Sequence, residues 1–108
     1  MDFKQIAARF EHAESGTDAF KAFYKDAFEL MKADPDNAGL YFVVAVAGHS
    51  YVRAYEDQGV TPEFADAAKA TLAGLNAKLL RALASDPQER LRLLGEVANE
   101  YEWNVSGF

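Results

Sequence analysis

The stretch Gly39-Leu40-Tyr41-Phe42-Val43-Val44-Ala45-Val46-Ala47-Gly48-His49-Ser50-Tyr51-Val52 decides how this chain is read. Only His49 and Ser50 interrupt its apolar character, and amphipathic segments flank it on both sides. A helix that is hydrophobic all the way round must be wrapped by other helices. The run is therefore expected to form the centre of a bundle, and any buried chemistry is expected to lie beside it. It is too short for the ~20 uninterrupted apolar residues that cross a bilayer, so no membrane partner is expected.

Outward from that run, turn signals divide the chain into five helical segments. Asp2 to Ser15 places Phe3, Ile6, Phe10 and Ala13 on one face, and Gly16 is expected to close it as a left-handed cap. Thr17 then caps a helix reaching Ala33, with Phe20, Phe23, Tyr24, Ala27, Phe28, Leu30 and Met31 as its stripe. Asp34-Pro35-Asp36-Asn37 is a turn, and the central helix follows from Ala38 to Gln58. Thr61-Pro62-Glu63 opens a fourth helix, whose expected buried face is Phe64, Ala68, Thr71, Leu72, Leu75, Leu79, Leu80 and Leu83. Asp86-Pro87-Gln88-Glu89 opens a fifth, with Leu91, Leu94, Val97, Ala98 and Tyr101 turned inward. From Trp103 to Phe108 the helical pattern stops. The expected fold is all-α: a compact single domain over residues 1–108, about five helices around a central apolar one.

Composition narrows the function classes. With 108 residues and half of them hydrophobic, the chain is one globular domain. It has no cysteine, hence no disulfide, thiol nucleophile or cysteine-ligated metal. That absence suits a reducing cytosol, and the charged N-terminus lacks the pattern of a signal peptide. The net charge of −6 repels nucleic acid. Lys69, Asn76, Lys78 and Arg81 do not make a convincing recognition helix beside Asp66 and many alanines.

His49, with Arg53 one turn later, is the candidate buried polar site. A buried imidazole can carry a proton, bind a metal or accept a phosphoryl group, but it is more often a hydrogen-bonded core residue. The histidine-then-lysine-then-glycine signature of phosphotransfer bundles is absent, since Val52 and Arg53 stand there instead. Neither His12 nor His49 has the glutamate three residues earlier that a di-iron bundle uses. Phe23-Tyr24, His49 and Val60-Thr61-Pro62-Glu63-Phe64 loosely resemble landmarks of truncated globins, which would imply haem. The interval from Tyr24 to His49 is too short for the distal helix of that fold. No nucleophile elbow or phosphate loop is present, so no catalytic residue, metal or cofactor is expected.

Charge placement in the fifth helix breaks a local rule. Acids favour a helix N-terminus and bases its C-terminus, yet Arg90 and Arg92 come early while Glu96, Glu100 and Glu102 crowd the end. Such conflicts either mark functional surfaces or are answered by neighbouring helices, here by Lys21 or Lys25. With Tyr101 and Trp103 alongside, Glu96, Glu100 and Glu102 form the candidate partner surface, since Trp and Tyr supply many interface hot spots. The tail could equally seal the bundle. The expectation is a small acidic, non-enzymatic, cytoplasmic protein that binds a protein: itself, or a partner of the kind that immunity proteins and inhibitors block. The alternative is a ligand- or cofactor-binding bundle using His49, with haem or phosphoryl chemistry.

Overall fold

The structure, a computed structural model, describes residues 1–105. Its helices are α1 (Phe3–His12), α2 (Thr17–Ala33), α3 (Ala38–Tyr55), α4 (Pro62–Leu83) and α5 (Pro87–Glu100). A 3₁₀ turn, Pro35–Asn37, leads into α3, and one π-helical turn, Tyr101–Val105, continues α5. The chain is an all-α, single-domain bundle, and no described helix is long and apolar enough to cross a membrane.

Local chemistry sets most of the starts. Asp2 accepts from the Gln5 N–H, and the Gln5 side chain accepts from the Asp2 N–H, both at 2.9 Å, closing a capping box on α1. Thr61 and Asp86 cap α4 and α5 by accepting from the N–H groups of Phe64 and Glu89 at 3.1 and 2.9 Å. Pro62 and Pro87 follow them, where a missing donor costs nothing.

Three boundaries differ from expectation. The first helix stops at His12, where Ala13 turns extended, so Gly16 does not close it. Gly16 instead precedes α2 with φ 149°, a conformation that a side chain would strain. The central helix ends at Tyr55 rather than Gln58. Trp103 lies within a π-helical turn and not in an irregular tail; Phe108 lies outside the described residues.

The core is aromatic against small. Val44, Ala45, Ala47 and Tyr51 of α3 are fully enclosed, and α3 packs most extensively on α2. Tyr51 stacks on Phe20 at 3.9 Å, and Phe10 meets Phe20 edge-on at 5.1 Å. A Cβ at Gly48 would stand 3.3 Å from the Phe23 ring and 3.4 Å from Tyr24 Cβ. The absent side chain is what lets the two helices close.

The central helix is not wrapped on every side. Phe42 is 49% exposed, Gly39 and Arg53 are exposed, and Val43, Val46, His49 and Ser50 are half-buried. Two neighbours expected to face inward do not: Phe64 is exposed and Leu91 is 70% exposed, as Ala65, Leu93 and Val97 fill the interior. Thr71 also faces out. An apolar run therefore supplies both a core face and an open face.

Candidate functional site

The open face of α3 follows helical spacing. Gly39, Phe42, Val46, His49 and Arg53 lie three or four residues apart and so share one side of the helix. One wall is α2: Phe28 meets Phe42 at 6.4 Å, and Tyr24 meets the His49 ring at 4.7 Å. The other wall is α5 and the turn after it. Leu94 lies 3.6 Å from where a Gly39 Cβ would be, and the hydroxyls of Ser50 and Tyr101 share a hydrogen bond of 2.8 Å. At the N-terminal end of the face, a cleft of about 330 Å³ opens between Asp36, Gly39, Leu40, Leu91 and Leu94.

The residues expected to form a buried polar site separate. His49 is half-buried against Tyr24 and Phe28, whereas Arg53 is exposed and has no ion-pair or hydrogen-bond partner among the described residues. Both belong to the open face and not to an interior pocket. Among the described residues no group of three or more His, Asp or Glu side chains is placed to hold a metal ion.

The acids of α5 are answered from within the molecule. Lys78 of α4 binds Glu100 and reaches Glu96 at 3.1 Å. These contacts raise the Lys78 pKa, its hydrogen bond to Glu100 being the largest cause, and Lys78 lowers that of Glu96. Arg92 adds a second contact to Glu96 at 3.2 Å while also holding Glu89. The compensating base is Lys78, not Lys21 or Lys25; Lys21 binds Glu56 instead. Arg90, which seemed misplaced at a helix start, donates to the carbonyls of Ala82 at 3.2 Å and Ser85 at 2.9 Å, where α4 ends. It acts as a C-terminal cap for the preceding helix. Of the candidate surface residues, Tyr101 is tied to Ser50, while Trp103 stands 78% exposed.

Two polar features were not legible beforehand. Asp34 accepts from Tyr41 at 2.6 Å and from Asn37 at 2.8 Å, and Asn37 in turn accepts from Arg90 at 3.0 Å. The Tyr41 hydrogen bond, followed by that from Asn37, holds the Asp34 carboxyl below its ordinary range. Burial, then the Asp34 contact, pushes the Tyr41 hydroxyl well up, so it stays a donor. Asn76, a residue of suitable type for a groove contact, is instead 3% exposed, and neither amide atom is hydrogen-bonded among the described residues.

The sequence signal for the open face was a seven-residue recurrence of Gly39, Val46 and Arg53, running from the start of the apolar run to the residue just past its end. Hydropathy alone hides it, because Phe42 and Val46 score like core residues. No protein-family model, curated protein or solved structure matches this chain.

Proposed function

We propose that this chain is a small acidic, non-enzymatic helical protein of the cytoplasm that acts by binding another protein, either a second copy or a different partner in the manner of immunity proteins and inhibitors. The observation that supports this reading is the open side of α3: Phe42 is 49% exposed on it, and Leu91, 70% exposed, lines the cleft at its N-terminal end. Large apolar side chains grouped at a surface are the usual mark of a protein contact. Around them Arg53 supplies an unpaired charge, and Tyr101 fastens the Trp103-bearing turn to the edge of the face through Ser50. Glu96 and Glu100 belong to the fold through Lys78, so they contribute at most to the polar rim.

The test is recovery of the native assembly by affinity isolation at stoichiometric yield, comparing wild type with Phe42→Asp and Trp103→Ala. Wild type should return with a defined partner or a second copy, and Phe42→Asp should lose it while keeping its helicity. Wild type isolated alone, or equal recovery with Phe42→Asp, would overturn the reading.

A further inference from the structure

We infer that α1 is a releasable strap, which comes away from α2 and α4 as a unit while α2 to α5 stay folded. Release uncovers Phe20, Phe23 and the amide of Asn76. This goes beyond the reading of α3 as a contact face and does not depend on it.

The orphaned amide shows where docking works against itself. Asn76 is 3% exposed, and neither amide atom is hydrogen-bonded among the described residues. Its position on α4 indicates what covers it. Lys69, seven residues earlier, donates to the Ala13 carbonyl at the end of α1. Seven residues make nearly two helical turns, so Asn76 lies on the same side of α4, the side turned to α1. Leu72 points elsewhere, to Gly48 of α3. The end of α1 stands by the start of α4, and Phe3 stands beside Tyr41 at the start of α3, 5.8 Å away, so α1 runs back along α4 in the opposite sense. Its buried residues Phe3, Ile6, Ala7 and Phe10 are all apolar. Docked, α1 takes the Asn76 amide out of water and returns no hydrogen bond; released, it gives the amide back to water.

The seam with α2 is incompletely filled. A cleft of about 420 Å³ opens between Ile6, Phe10, Ala19 and Ala22, and another of about 330 Å³ between Met1, Ile6, Asp26 and Leu30. Side chains beside such gaps forfeit dispersion contacts. Arg9 bridges to Asp26 between the two clefts, but both side chains are well exposed, and a pair so placed holds weakly. What fastens α1 is Phe10, 5.1 Å from Phe20 and 5.2 Å from Phe23, with Phe3 and Ile6. Those side chains must offset the ordering of a ten-residue helix, which is too short to persist alone.

The pivot is built in. The helix already stops at Ala13, whose backbone is extended. Lys69 holds Ala13, and Ser15 bonds Asp66 at 2.6 Å, so this point stays fixed to α4 when the rest leaves. Gly16 follows at φ 149°, with open space where a side chain would be.

Native-state hydrogen exchange on the full chain tests the strap. In wild type the amides from Ala7 to His12 should share one denaturant-sensitive rate, faster than those of α2 and α3 by about tenfold or more, as a separately opening unit does. Asn76→Leu should slow the α1 amides by about tenfold, the equivalent of one orphaned group removed from the docked state. Val97→Ala, on α5, should speed the amides of α2 and α3 through global unfolding and leave the α1 rate unchanged. Equal rates in α1, α2 and α3, or an α1 rate that rises with Val97→Ala, would show that α1 leaves only when the whole molecule unfolds and would overturn the strap. An α1 rate indifferent to Asn76→Leu would overturn the claim that α1 covers that amide.

Discussion

Asn76 shows how much one side chain can work against its surroundings. Its amide is buried without a hydrogen-bond partner among the described residues, and each such orphaned group costs ~1–3 kcal/mol in lost hydration. Leucine has the same heavy-atom branching with no polar atom. Asn76→Leu is therefore expected to raise stability by ~1–3 kcal/mol, read as a higher midpoint in chemical denaturation. A lower midpoint would mean that the amide is bonded in solution. Tyr41 is the opposite case, since its hydroxyl ends on the charged Asp34. Tyr41→Phe should cost about 1 kcal/mol at neutral pH. Because Asp34 is held below its ordinary range in the fold, its contribution is complete above the unfolded value of about 3.9. That contribution is lost as pH falls through the lower folded value. The gap between wild type and Tyr41→Phe should accordingly close on acidification, and a gap constant from neutral pH downward would dissociate Tyr41 from the carboxylate.

At the level of the helix, α5 is intelligible only together with α4. Alone it opposes its own dipole, with arginines early and glutamates late. Beside α4 it does not: Arg90 closes the α4 C-terminus, and Lys78 gathers Glu96 and Glu100. Lys78→Gln should lower the melting temperature by a few degrees. Glu100→Gln added to Lys78→Gln should recover part of that loss, since it relieves the repulsion between adjacent acids on the helix. Additive losses in the double variant would show that Lys78 acts through its aliphatic stem instead. The start signals of α4 and α5 were readable because a cap bonds residues only three positions away. The compensating lysine was not, because its choice depends on which helix lies alongside.

For the molecule as a whole, self-association, one of the two forms of the proposed function, has a thermal signature independent of any partner. Anything that binds only the folded chain stabilises it by mass action, so the melting temperature should climb with protein concentration in wild type and stay flat in Val46→Glu. A flat response in both would count against self-pairing.

The apolar run, the capping residues and the prolines were enough to establish five helices and their order, because these are properties of spacing within a few residues. Periodicity could not say which part of an apolar run stays uncovered. Phe42 and Leu91 resemble Val44 and Leu93 in sequence, and only the placement of α2 and α5 separates the exposed pair from the buried one. Asn76 is the same lesson reversed: a polar residue is enclosed because leucines on its own helix commit that face to the interior. The burial of a side chain is settled by helices distant in sequence, and the open face of α3 exists because the five helices leave that arc of it unpacked.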